Sequence, residues 1–276
     1  GTPSANHTFG NYSFNLTGST ITQVRVRYDA WSGISYIGSA STTGNNPTSG
    51  NFTLPAGRAA NDVAVFWWYT YTNTKTFVKS GTGTGITTKQ DVNASGYGHI
   101  FIGYRTLVAG DSTFAWTSSS VTNATTIWGT SVFRGVNGSG DPFENQSGAP
   151  ATFTNAINPD PPAVTTITDK AWVYAVFGKM NDYTSITPPS GYTTAGSNSS
   201  TAGNDASAGT AYKEITPAGS EDPPAWTLGG GASTDDGYVW TGVLKRDILN
   251  EQIRVDVSWD GGTSWCNKQT TDLNGT

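Results

Sequence analysis

Few residues in this chain could carry out chemistry. Its two histidines, His7 and His99, have neither the spacing of a metal site nor that of a hydrolase triad. His99 lies in the strand-like run HIFIGY, where a packed or surface histidine is expected. Carboxylates gather at Glu221-Asp222, at Asp235-Asp236 and at Asp256 with Asp260. Two carboxylates facing one cleft about 5–9.5 Å apart could hydrolyse a glycoside, and clustered carboxylate oxygens could hold Ca²⁺. Each cluster adjoins Gly or Pro, however, where Asp commonly caps a turn through its own side chain. Turn chemistry is therefore the expected role, and Asp235, Asp236, Asp256 and Asp260 are the candidate ligands should a structural Ca²⁺ be bound. No other cofactor is expected. GTGTGITTK at Gly81–Lys89 is glycine-rich but lacks the Gly-Lys-Ser/Thr ending that places a lysine on a phosphate. It reads as a connection between strands. No residue is assigned a catalytic role, and the expectation is a protein that is not an enzyme.

One modification signal stands out against this background. Asn-X-Ser/Thr occurs at Asn6, Asn11, Asn15, Asn51, Asn93, Asn123, Asn137, Asn145, Asn198 and Asn274, ten of the twenty asparagines. Ser and Thr total 70 of 276 residues, so chance would give roughly five such acceptor sites. The excess points to surface glycans and to an exported, extracellular protein. Glycans would supply hydration that charged side chains do not: those make up 13% of the chain, against about 25% in an average soluble protein.

The rest of the composition bounds the partners and the fold. Net charge is −5 with no basic run, which argues against nucleic acid. No apolar stretch approaches the roughly 20 residues of a membrane span. The chain begins at Gly1 and its only methionine is Met180, so a processed form or a piece of something longer is expected. Cys266 is the single cysteine and is expected to be a small, partly buried side chain beside Trp265. With 34 Gly, 10 Trp and 12 Tyr, and many β-branched residues, the chain reads as all-β with many turns.

The elements that must position these residues form a diverged repeat. NDVAVFWWY at Asn61–Tyr69, HIFIGY from His99 and TTIWGTSVFRGV from Thr125 recur as TDKAWVYAVFGK at Thr168–Lys179, GTAYKEI from Gly209 and DGYVWTGVLKRD from Asp236. The landmarks Asp62/Asp169, Tyr104/Tyr212, Trp116/Trp226 and Trp128/Trp240 are offset by 107, 108, 110 and 112 residues. Two tandem β-sandwich domains, jelly-roll or immunoglobulin-like, are expected at 35–138 and 139–247. In VAVFWWYTY and AWVYAVF both faces are apolar, whereas a sandwich strand needs only one. The second face calls for a cover, which is expected to be the sister copy before a neighbouring subunit or a ligand. Buried packing is likewise expected for Trp67, Trp68 and Trp128 over a sugar-stacking role, as for Trp31.

The chain also opens and closes on one phrase, QVRVRYDAWSG at Gln23–Gly33 and QIRVDVSWDGG at Gln252–Gly262. We read residues 1–34 and 248–276 as the two parts of a split β module, completed within one chain or by a neighbouring subunit. The candidate assembly positions are Gln23, Val24, Val26, Tyr28 and Trp31 at one end, and Gln252, Ile253, Val255, Val257 and Trp259 at the other. Short strands with open edges call for a partner.

SYIGSAST, NFTLPAG and GYRTLVAGDSTFAWT, followed by TPPSGYT and AYKEITPAGSEDPPAWT, resemble β-sandwich modules of large microbial surface proteins and tailed-phage structural proteins over about Ser35–Arg246. The two end phrases resemble adjoining strands of another β module from such proteins. The resemblance implies a structural or adhesive role and carries no catalytic motif. The expected function is a glycosylated extracellular subunit of a surface filament or fibre. Such a subunit would polymerise with copies of itself head-to-tail, the C-terminal strand meeting the N-terminal strand of the next subunit. A phage or virus tail component and a carbohydrate-binding adhesin are the alternatives.

Overall fold

The computed structural model describes residues 33–230 and 235–247 and, at the two ends, the strand backbones at 23–29, 252–258 and 266–272. The protein is all-β and every strand pairing is antiparallel. The chain divides into two compact units, Ser32–Asp247 and Gly1–Trp31 with Ile248–Thr276. We call the first the body. Among the described residues no helix is long and apolar enough to cross a membrane.

The terminal unit begins with β1 (Gln23–Asp29). In the body, the first repeat runs through β2 (Ser35–Asn45), β3 (Ser49–Thr53), β4 (Val63–Thr70), β5 (Val78–Lys79), β6 (Thr87–Ala94), β7 (Gly98–Thr106), β8 (Thr113–Thr117) and β9 (Thr125–Arg134). The second runs through β10 (Phe143–Gln146), β11 (Ala151–Ala156), β12 (Val164–Thr165), β13 (Ala171–Met180), β14 (Ser185–Thr187), β15 (Thr193–Ser200), β16 (Ala206–Ile215), β17 (Ser220–Glu221), β18 (Thr227–Gly229) and β19 (Asp235–Leu244). β20 (Gln252–Ser258) and β21 (Cys266–Asp272) return to the terminal unit. Gly81–Gly85 forms a 3₁₀ turn leading into β6, with Gly83 held against the Ala115 carbonyl where no side chain would fit.

The duplication is visible in the topology. The first large sheet has the order β2-β9-β4-β7-β6, and the second β10-β19-β13-β16-β15, with β11 also on β19. A three-stranded sheet, β3-β8-β5, accompanies the first, and two small pairs, β12-β17 and β14-β18, accompany the second. Three apolar clusters result. Ala64, Phe66 and Trp68 join Phe52, Phe114 and Trp116 in one, while Val173, Ala175 and Phe177 join Trp226 and Leu228 in another. The third draws Val63, Val65, Trp67 and Tyr69 together with Trp172, Tyr174, Val176 and Trp240. The second apolar face of each central strand is thus covered by the sister repeat.

Equivalent elements meet reciprocally in this shared core. β2 lies on β15, and β4 meets β13. At the far side Gln90 of β6 bonds Gln146 of β10. Tyr69 packs on Gly178, where an added Cβ would come within 2.3 Å of its ring. Polar groups trapped here are paired across the repeats: the Tyr36 hydroxyl and Ser131 Oγ donate to the Ala195 carbonyl at 2.9 and 3.0 Å, and the Tyr174 hydroxyl donates to Ser131 Oγ at 3.1 Å. The geometry is that of an isologous contact within one chain.

Register corrects one repeat landmark. Tyr104 pairs with Val65 and Tyr212 with Tyr174, so Trp67 corresponds to Val176. Trp67 lies opposite Gly129, and Val176 lies opposite Trp240. Trp240 is therefore the counterpart of Gly129, and Trp128 that of Val239. Trp128 belongs to the first repeat's own core, whereas Trp240 belongs to the shared one. A one-residue slip moves a side chain to the opposite face. The bulk is conserved all the same: a Trp/Gly pair in the first repeat becomes Val/Trp in the second, and a Cβ on Gly129 would sit 2.3 Å from the Trp67 ring.

Candidate functional site

The two end phrases pair. β1 and β20 run antiparallel with Gln23 opposite Ser258, Val24 opposite Val257, Val26 opposite Val255, Tyr28 opposite Ile253 and Asp29 opposite Gln252. β21 adds to the other side of β20, giving the order β1-β20-β21. The expected meeting of the two phrases is present within one chain, and β20 has a neighbour on each side. Among the described residues the sheet edges are β1 and β21. Trp31, Trp259 and Asp260 lie outside the described residues, as do His7, Asn6, Asn11, Asn15 and Asn274.

The body is built to be entered and left at one place. Asp247 N–H donates to the Gly135 carbonyl at 2.8 Å, and Gly33 packs against Gly135 closely enough that a Cβ there would meet the Gly33 carbonyl oxygen at 3.0 Å. Gly135 has φ +76°, a conformation that favours glycine. Adjacent ends are what allow a domain to be inserted into the sequence of another.

The described acceptor asparagines fall into two groups. Asn51, Asn93 and Asn123 are exposed. Asn137 and Asn198 are half-buried, their side-chain oxygens taken by the Ser139 and Ser199 N–H groups. Asn145 is half-buried and held at both ends of its amide, accepting from Gln146 N–H at 2.9 Å and donating to the Thr165 carbonyl at 2.7 Å. Beside Asn51 opens a cleft of about 270 Å³ between β2 and β3, lined by Ser41, Thr42, Thr53 and Trp128. The Trp128 indole N–H donates to the Asn51 carbonyl at 2.9 Å. Sequence reasoning missed this cleft, because only sheet register brings these residues together.

Three of the described carboxylates bind groups from other strands and loops. Asp236 accepts from Asn155 N–H at 2.9 Å, and Asp235 accepts from the Asn181 amide at 3.0 Å. Glu221 takes the Tyr192 hydroxyl at 3.0 Å and the Lys213 ammonium at 2.8 Å. Among the described residues no group of three or more His, Cys, Asp or Glu is placed to hold a metal ion. Asp235 and Asp236 are thus not joined into a described cation site, and the Asp256 side chain lies outside the described residues. His99 is packed edge-on against Trp68, with Nδ1 at 2.7 Å from the Lys75 carbonyl and Nε2 at 2.6 Å from Asp91. Trp67 and Trp68 are buried, and Trp128 is 8% exposed.

Two buried lysines, Lys75 and Lys179, went unnoticed in the sequence. Lys179 is inaccessible, and its ammonium donates to the Ala156 and Ile157 carbonyls at 2.6 and 2.9 Å and to the Tyr183 hydroxyl. Burial lowers its pKa from 10.5 to about 8, against the opposing pull of Asp235. Burial also raises Tyr183 to about 12, so that hydroxyl stays neutral through the same range. Between these two lysine values the unfolded chain holds a proton that the folded chain has released. Stability from this group is therefore full above pH 10.5 and is lost as pH falls through about 8. Relative to Lys179→Met, the wild type should gain stability between pH 8 and 10 in urea denaturation. Parallel pH profiles would contradict that assignment.

Compared with family models, curated proteins and solved structures, the chain has no match. The class that fold and site define is an all-β protein whose duplicated body falls, in chain order, between β1 and β20 of a small terminal sheet.

Proposed function

We propose that this is a non-enzymatic structural subunit that works outside the cell, carries glycans, and joins copies of itself into a filament or fibre. In this reading each repeat is a β-sandwich, with its large sheet facing the small ones. The observation that carries it is the terminal sheet. Its central strand β20 is satisfied on both sides, while β1 and β21 have no further strand among the described residues. Pairing β21 of one subunit with β1 of the next is head-to-tail, the kind of contact that builds an open filament when the rotation between subunits does not close a ring. The strand offered to the neighbour is thus β21 rather than the β20 phrase. Burial of Trp67, Trp68, Trp116, Trp226 and Trp240 weighs against the adhesin reading, which calls for an exposed aromatic row.

Sedimentation of the full chain across a range of concentrations tests the proposal. Growing species are expected, and a monodisperse monomer that persists at high concentration would contradict it.

A further inference from the structure

We infer that Asn51 carries an N-linked glycan whose first sugar ring is seated in the neighbouring cleft, on Trp128. This rests on the glycoprotein reading above and adds a site and a binding mode to it. In Asn51-Phe52-Thr53 the strand alternation buries Phe52 and turns Asn51 and Thr53 outward, so both the acceptor amide and the hydroxyl of the acceptor motif are open. Asn93 and Asn123 are open too, and Asn51 has in addition a cleft beside it.

The cleft suits one sugar ring. Its volume of about 270 Å³ is just below the roughly 300–1,000 Å³ typical of pockets for drug-sized ligands. Thr42, Thr53 and Trp128 line it, while the Ser41 hydroxyl turns to the sister repeat and donates to the Ser197 carbonyl at 3.1 Å. The indole is fixed by its bond to the Asn51 carbonyl, so it needs no reordering on contact. β2 and β3 are edge strands of their sheets, which leaves backbone groups for the sugar hydroxyls. Such a cleft would hold a free monosaccharide weakly. A ring tethered to Asn51 is presented at high effective concentration and does not pay the cost of association from solution.

The test compares protein from a glycosylating host with unglycosylated protein from a bacterial cytoplasm. Glycopeptide mass spectrometry should find Asn51 occupied. In the glycosylated protein Asn51→Gln should lower the thermal midpoint by roughly 2–4 °C, and Asn93→Gln should have a much smaller effect. In the unglycosylated protein Asn51→Gln should be neutral, because the backbone carbonyl that holds Trp128 is unchanged. Glycans at other sites with Asn51 bare would overturn the inference and leave the glycoprotein reading standing. An occupied Asn51 whose loss shifts nothing would do the same. A chain with no sugar at any acceptor site would overturn both.

Discussion

Trp67→Ala should cost the body about 3–5 kcal/mol and unfold both repeats together. Trp67 is 1% exposed and belongs to the shared core. Its ring fills the space above Gly129 in its own sheet and reaches within 3.2 Å of a Cβ position on Gly196 in the sister repeat. Glycines on both sides leave no side chain that could swing into the void, so the cavity would persist. Trp67→Phe should cost well under half as much. It keeps most of the apolar contact and removes an indole N–H that has no hydrogen-bond partner among the described residues. Urea denaturation followed by near-ultraviolet circular dichroism reads both effects. A single transition moved to lower urea is expected. A loss below about 1 kcal/mol, or two separated transitions, would mean the repeats do not share a core in the way described.

Val255→Pro should abolish assembly while leaving the body's stability unchanged. Val255 is in the middle of β20, opposite Val26 on one side and Gln269 on the other. Proline removes a ladder donor and is tolerated in sheets only at edges, strand starts or bulges. Sheets of three strands are near the lower limit of stability, so this one has little reserve against a broken central strand. The body is a separate compact unit, and its thermal midpoint should match that of the wild type. Loss of large species with an unchanged midpoint supports the terminal sheet as the joint. Wild-type assembly in the variant would place the joint elsewhere.

Much of the architecture could be read in the residues themselves. Apolar side chains on both faces of Val63–Tyr69 and of Ala171–Phe177 called for a second cover, and the shared core supplies it. Composition alone pointed to strands and turns. What could not be read was register. Trp128 and Trp240 match in type but face different cores, since alternation makes a one-residue error invisible in composition and decisive in space. The cleft beside Asn51 joins positions 77 residues apart through one indole bond. Lys179, at the end of an apolar run, would ordinarily be solvated, and acceptors that include the Ala156 and Ile157 carbonyls and the Tyr183 hydroxyl make its burial tolerable. The end phrases told that two strands belong together, but not that a third, β21, would take the outer place.

The most direct test of the account is electron microscopy of the purified full chain at high concentration. It predicts unbranched fibres with one body per repeat and continuous sheet density at the joints. A field of single, unconnected particles would contradict it.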